Sequence, residues 1–483
     1  MKLLTRLEKS TDCWFLIGII FIFFVLRLPS LFEPYWYGDE AIYQVIGMGL
    51  NEDRLLYRDI WDNKPPLLYI LYALFSSDQF TIRSVSLLFG VSAVVAFFGL
   101  AKKLFKEAKM AVFFSTGFFA FLFAIPLLEG NIANAENFML FPIILAGLLI
   151  YNATNHTLTA HRYTLMAGFL LSLAFLFKVV AIFDFAAFFL FLVFATLPPK
   201  QIAINKLLIF ILSFAIPILT TIVFFLAKGA FWDFIEAVFR QNVSYVGYGN
   251  ALFLPAGLLL IKLILLTSAI MVIFLKRKTL HNYHLFILLW FIFSLFNAFF
   301  SQRPYTHYLL TLLPSFILMF GLLFQEKKYQ KIIIISLCFG LFFIFANFTF
   351  FGKTARYYQN YLAFISGQKS VSSYQGFFDR NTPIDYAVVS FLKTHKKADD
   401  QIFVWGNNAQ IYVLLETLPP GRYTVAYHIS ASKTALLETQ EILTKTKPKY
   451  LVVSAEPATI PFSLVGYTPR ITIYHTYIYE RVF

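Results

Sequence analysis

Asp39 and Glu40 follow Gly38 just beyond the first apolar stretch, and Asn63-Lys64-Pro65-Pro66-Leu67 stands before the next one. Carboxylates beside a membrane-length apolar run are costly to bury, so this pair with its lysine is a candidate for chemistry. Farther along, Glu129, Asn131, Asn134 and Glu136 gather between two apolar runs. Lys178 lies within another, and Arg303, His307 and Tyr308 mark the turn into a later one. A carboxylate within reach of a hydroxyl can take its proton, while lysine, arginine and histidine can hold a phosphate. Such a set suits an anionic substrate carried by a membrane.

Each residue also has a plainer reading. Asp39 and Glu40 could form a solvated loop or a helix start, and Lys64 could snorkel at an interface while Pro65-Pro66 merely opens a helix. Arg303 could touch lipid headgroups, and His307 could be a satisfied polar residue. Lys178 is hardest to explain away, because a lysine inside an apolar run must find an anion or water; Glu136 follows the same logic more weakly.

The chain of 483 residues is 59% hydrophobic and only 14% charged. Its mean hydropathy is +0.69. That composition excludes an ordinary soluble domain and implies a polytopic membrane protein. The net charge of +14 would suggest nucleic acid in a soluble protein, but here the cations cluster in particular loops and report orientation. Cys13 and Cys338 fall in or beside apolar runs, which implies neither a disulfide framework nor cysteine-bound zinc. No phosphate-binding glycine loop is present, which disfavours an ATP-driven pump.

Apolar runs predict about eleven membrane spans: near 14–30, 80–101, 110–127, 134–152, 163–181, 183–198, 204–227, 254–275, 283–300, 305–324 and 331–351. Lys2, Arg6 and Lys9 precede the first, and bulky Leu31-Phe32-Glu33-Pro34 follows where a signal peptide would be cut, so the first span is expected to remain. The run 67–75 either begins the second span or forms an interfacial helix. Positive charge then marks alternate loops, with Lys102, Lys103, Lys106 and Lys109, then Arg162, Lys200 and Lys206, Lys276, Arg277 and Lys278, and finally Lys327, Lys328 and Lys331. By the positive-inside rule these are cytoplasmic. An odd span count then places loop 31–66, the candidate polar residues and the region 352–483 on the outer side. That region shows helix-like 384–393, 408–416 and 433–443 with strand-like 401–405 and 450–454, the pattern of a small α/β domain.

In combination, these features resemble the polytopic glycosyltransferases of the GT-C fold, in particular the group of protein O-mannosyltransferases and the lipid A aminoarabinose transferase (glycosyltransferase family 39-like). The resemblance is carried by Gly38-Asp39-Glu40-Ala41-Ile42-Tyr43, Asn63-Lys64-Pro65-Pro66-Leu67, Asn134-Ala135-Glu136, Phe177-Lys178, Arg303-Pro304-Tyr305-Thr306-His307-Tyr308 with Leu312-Leu313-Pro314, and Val404-Trp405-Gly406-Asn407 with Ile411-Tyr412. It runs in order along nearly the whole chain. It implies an α-helical polytopic transmembrane glycosyltransferase domain, 1–351, with a small extracytoplasmic α/β domain, 352–483, in the inner or plasma membrane of a cell.

The resemblance further implies inverting transfer of a monosaccharide from a polyprenyl-phosphate donor to a lipid, glycan or protein acceptor at the outer face. It assigns Asp39 as base. On charge alone, Lys64, Lys178, Arg303 and His307 are expected to hold the anionic phosphate, with Glu40 beside the base and Glu136, Asn134 and Tyr308 orienting the substrates. Membrane lipids are expected partners and nucleic acid is not. Asp39 with Glu136 could in principle hold a divalent metal, but no dense carboxylate cluster occurs and the Trp-Trp-Asp signature of oligosaccharyltransferases is absent, so no cofactor is expected. The alternative is a transporter or flippase of lipid-linked sugars. It would need polar residues at both faces and along a path between them, whereas here they gather at one.

Overall fold

Helices occupy the apolar runs, because in hydrocarbon only a helix satisfies its own backbone. The structure, a computed structural model, describes residues 11–75, 78–106, 108–155, 159–195, 200–242, 259–301, 305–325, 330–348, 352–454 and 460–482. Among the described residues nine helices are long and apolar enough to cross a membrane: Thr11–Phe32, Gln79–Leu104, Ala135–Thr154, Ala160–Phe177, Ile204–Ala227, Leu259–Lys276, Asn282–Phe300, Thr306–Gln325 and Gln330–Asn347. Two shorter apolar helices, Lys109–Ala124 and Val179–Ala195, stand at the two remaining expected positions. Both are shortened by a local break. A 3-10 turn, Pro126–Leu128, follows the first. Before the second, Lys178 adopts extended backbone at φ −157°, ψ 128°. The lysine expected inside the fifth span thus stands one residue past its end, where it is released from helical register.

The chain divides into two compact units. Unit 1 comprises Met1–Ser30, Arg83–Lys228 and Arg240–Thr354. In it the Ala135–Asn155 helix packs on Ala160–Phe177, which packs on Lys200–Ala227, while Asn282–Phe300 lies against both Ile182–Ala195 and Leu309–Gln325. Gly168 permits one of these approaches. A Cβ there would stand 2.6 Å from the Phe210 carbonyl oxygen. The apolar side chains of Leu265, Val272 and Leu275 remain exposed, as suits lipid-facing helices.

Several polar groups buried in unit 1 find partners remote in sequence. Arg83 donates to the Ser30 carbonyl at 2.7 Å and Arg27 to the Ser86 hydroxyl at 3.2 Å. Trp290 donates to Asp184 at 2.7 Å. Lys206, expected among the loop cations, instead lies within the Lys200–Ala227 helix and donates to the Ala153 carbonyl at 2.9 Å, which satisfies a carbonyl of the last helical turn.

Unit 2 comprises Leu31–Ile82, Gly229–Phe239 and Ala355–Phe483. The stretch 31–66, expected as a loop, contains the Gly38–Asn51 helix. Every residue from Glu40 to Gly47 is buried, so the helix is enclosed on all sides, which its carboxylates, glutamine and tyrosine disguise in the sequence. Run 67–75 forms a separate helix, Pro66–Leu74, with proline in its first turn where no amide donor is needed. The Gly38–Asn51 helix packs on this helix and on Gln410–Leu414. Long-range bonds tie 31–82 to the C-terminal residues: Tyr357 donates to Glu33 at 2.6 Å, the Trp61 amide to the Arg422 carbonyl at 2.9 Å, and Arg54 to the Pro419 carbonyl at 3.0 Å.

Four strands, β1 (Ile402–Trp405), β2 (Tyr450–Val453), β3 (Tyr467–Ile473) and β4 (Thr476–Arg481), form a sheet in the order β1-β2-β4-β3. β1 and β2 pair in parallel and are buried throughout, which their continuous apolar runs require. The crossing Lys433–Thr446 helix is capped by Ser432, whose hydroxyl accepts from the Ala435 amide at 3.1 Å. The expected helix at 384–393 extends over Thr382–His395. β3 and β4 add a hairpin that the sequence did not announce.

Candidate active site

In unit 1 the polar residues flanking the apolar runs converge. Glu129 ends a 3-10 turn in the left-handed region at φ 58°, and Gly130 follows where an added Cβ would stand 2.0 Å from the Phe123 carbonyl oxygen. The turn therefore requires glycine at 130, and it aims the Glu129 side chain at the segment 306–307. There Thr306 donates to Glu129 Oε1 at 2.6 Å, and His307 Nδ1 meets Glu129 Oε2 at 3.0 Å. The other imidazole nitrogen of His307 lies 3.8 Å from Glu136 Oε1.

Glu136, in the first turn of the Ala135–Asn155 helix, is buried and ion-paired with Lys178. The Lys178 ammonium also stands over the Tyr308 ring, 4.4 Å from its centroid. Tyr308 in turn meets His307 edge-on at 4.6 Å. Lysine, carboxylate, imidazole and carboxylate thus alternate in a continuous chain. A buried pair of this kind is stable only while complete. Asn134, the third expected orienting residue, is buried at the entrance to the same helix, and its carbonyl accepts from the Asn137 amide at 3.0 Å. Arg303 lies outside the described residues.

In unit 2 a second group forms around Tyr43. Asp39 and Tyr43 are one turn apart in the Gly38–Asn51 helix, and the Tyr43 hydroxyl donates to Asp39 Oδ2 at 3.4 Å. Lys64 approaches the Tyr43 ring at 6.0 Å from its centroid and donates to the side-chain carbonyl of Asn63 at 2.8 Å. Asp39 is half-buried, whereas Glu40, its neighbour in the same helical turn, is 3% exposed and turned to the interior. A carboxylate and an ammonium therefore flank a single aromatic ring, with Asp39 open to solvent.

Behind this group lies a shell that sequence reasoning did not assign. Tyr69 donates to Asp62 at 2.7 Å and accepts from the Lys64 amide at 3.0 Å, and the Tyr57 hydroxyl donates to the Lys64 carbonyl at 2.8 Å. Burial, with Asp62 adding to it, holds both phenols well above their ordinary pKa, so they remain donors. His428 Nε2 stands 3.5 Å from Asp62 Oδ1, and the ring packs edge-on to Trp61 at 4.8 Å. Burial lowers the His428 pKa to about 4, with Asp62 opposing the shift and Lys64 adding to it. Asp62 was visible as a polar residue of the first outer segment. His428 has no local signal, because its partner is remote in sequence.

Among the described residues no group of three or more histidine, cysteine, aspartate or glutamate side chains is arranged to hold a metal ion. Residues 64–225 match the family model described as dolichyl-phosphate-mannose-protein mannosyltransferase. No curated protein sequence matches the chain. Among solved structures, ArnT from Cupriavidus metallidurans bound to undecaprenyl phosphate shares 12% identity at a TM-score of 0.57, over 98% of this chain and 99% of that one. The apo state of the same protein aligns equally well, with 12% identity and a TM-score of 0.57. The apo oligosaccharyltransferase of Archaeoglobus fulgidus aligns at a TM-score of 0.50 and 13% identity, over 92% of this chain and 70% of that one. At these identities the likeness is one of fold. The chain is a polytopic membrane protein with the GT-C fold of these transferases, and its residues 64–225 are similar to the mannosyltransferase family model.

Proposed function

We propose that the protein transfers a monosaccharide, with inversion, from a polyprenyl-phosphate donor to an acceptor at the outer face of the membrane, with Asp39 as base. The observation that carries this reading is the arrangement around Tyr43, where a half-buried carboxylate and the Lys64 ammonium lie against one ring. The fold and the match over residues 64–225 support the reaction class.

In the proposed reaction Asp39 accepts the proton of an acceptor hydroxyl as that oxygen bonds to the anomeric carbon. The bond from that carbon to the donor phosphate breaks, and polyprenyl phosphate departs with the electron pair. A phosphate leaves as an anion and needs little protonation, so one carboxylate suffices. Lys64 holds the departing phosphate, and Arg303 is proposed as a further phosphate ligand on its chemistry alone. Within unit 1 Lys178 is paired with Glu136, and His307, Tyr308 and Asn134 complete that frame. Glu40, facing inward, supports the helix that presents Asp39. The positively charged loops place the N-terminus in the cytoplasm and the C-terminal residues outside.

Purified wild type and Asp39→Asn, offered a panel of polyprenyl-phosphate sugars with an acceptor, test the proposal through release of polyprenyl phosphate. Release by the wild type that collapses in the variant, with donor binding retained, is the expected result. Donor binding and transbilayer movement without release from any sugar would replace the enzyme with a carrier of lipid-linked sugars.

A further inference from the structure

Away from the residues assigned above, unit 2 contains a cavity of about 320 Å³ between the β1–β2 face, the Lys433–Thr446 helix and residues 460–467. Alternate residues of a strand share a face, so Phe403 and Trp405 of β1 line it beside Leu451 and Val453 of β2. Phe462 stands edge-on to Trp405 at 5.2 Å and to Phe403 at 5.8 Å, which builds an aromatic floor.

The rim has a different chemistry. Gln440 and Thr444 contribute an amide and a hydroxyl, while Lys447 and Arg481 contribute cations, and among the described residues no aspartate or glutamate lines the cavity. Lys447 is held in the left-handed region at φ 46°, and Arg481 donates to its carbonyl at 2.8 Å. The backbone that presents Lys447, and its bond to Arg481, are therefore built into the fold. Aromatic faces cover the C–H faces of a sugar ring, amide and hydroxyl groups answer its hydroxyls, and two cationic side chains at the rim favour a negative substituent. The volume falls at the lower end of the roughly 300–1,000 Å³ range typical of small-ligand sites. An apolar peptide side chain would leave the polar rim unused.

We infer that this cavity binds a negatively charged pyranose unit of the acceptor glycan. Its role as an acceptor subsite rests on the glycosyl-transfer function proposed above. Saturation-transfer NMR on the full chain in lipid nanodiscs tests it, using a trisaccharide that contains glucuronate and its carboxyl-reduced neutral counterpart. Saturable transfer to the acidic sugar is expected, at least tenfold weaker for the neutral one. Lys447→Asn, which suits the left-handed backbone, should weaken binding about tenfold, and Thr444→Trp, which fills the cavity, should abolish it. Lys393→Asn, a charge removed elsewhere on the unit, should leave it intact. Equal signals from both sugars, or binding undisturbed by Thr444→Trp and Lys447→Asn, would overturn the assignment. Binding lost in Thr444→Trp by a wild type that transfers no sugar would keep the cavity's ligand and overturn the proposed function. Transfer to the acidic acceptor with KM unmoved in both variants would keep the function and overturn the subsite.

Discussion

The cluster of Glu129, Glu136, Lys178 and His307 in unit 1 and the group of Asp39, Tyr43 and Lys64 in unit 2 contain the same kinds of side chain but commit them differently. In unit 1 Lys178 is paired with Glu136, and His307 stands between two carboxylates. In unit 2 Asp39 accepts a long bond from a neutral phenol, and Lys64 donates to a neutral amide. Charges bonded to opposite charges hold a frame, because breaking one leaves the other buried and uncompensated. Asp39, half-buried and bonded to a neutral phenol, retains capacity for a substrate. On the function proposed above, the contrast gives the first set a stabilising role and the second a chemical one.

The largest effect expected from this contrast is kinetic. Asp39→Asn should lower glycosyl transfer by about 10²–10⁴-fold, the usual contribution of general-base catalysis, while the thermal unfolding midpoint stays within error of wild type. Unfolding of that variant would erase the distinction between the two groups. Lys178→Met should do the reverse in the first instance, costing about 3–5 kcal/mol of stability by stranding Glu136. Denaturation in detergent measures this loss, and adding Glu136→Leu should recover most of it; additive losses in the double variant would show that the two residues are not coupled.

A smaller change sharpens the comparison within unit 2. Tyr43→Phe removes the hydroxyl on Asp39 and keeps the ring, so kcat/KM should fall only about three- to tenfold, as for one neutral hydrogen bond. A loss as large as that of Asp39→Asn would make the phenol itself part of the reaction. Smallest is the effect of pH on unit 2. Burial raises the Asp385 pKa to about 7, against the donors Asn408 at 2.7 Å and Gln410 at 2.6 Å. Its folded-state value lies above the unfolded one, so the associated stability is full below the ordinary carboxylate range and is lost as pH rises toward 7. Between pH 6 and 8 unfolding should become easier by about 1 kcal/mol, and Asp385→Asn should flatten that slope.

Much of this architecture could be read along the chain. Apolar runs located the membrane helices because each is written in consecutive residues. Asp39, Lys64 and Glu136 stood out because charge is rare beside such runs. What escaped was pairing across distance. Lys178 was recognisable as needing an anion, yet its bond to Glu136 spans 42 positions. Arg83 and Asp184 lie inside apolar runs, but their partners, the Ser30 carbonyl and the Trp290 indole, give no sign of this locally. β3 was missed because its burial hardly alternates, with both faces largely exposed from Thr468 to Thr472, so no period of two marks it. The Gly38–Asn51 helix was concealed by the very carboxylates that drew attention to it, since its buried stretch begins with one of them, Glu40.

The bond between Glu33 and Tyr357 joins residues 324 positions apart. At roughly 5–20 residues per second of synthesis, the helix bearing Asp39 therefore leaves the ribosome on the order of 15–65 s before the partner of its anchoring glutamate exists. Through that interval the segment cannot mature by itself. Asp39, the proposed base, acquires its final setting only when the last quarter of the protein has been made, so a prematurely terminated chain can insert its membrane helices and still lack that setting.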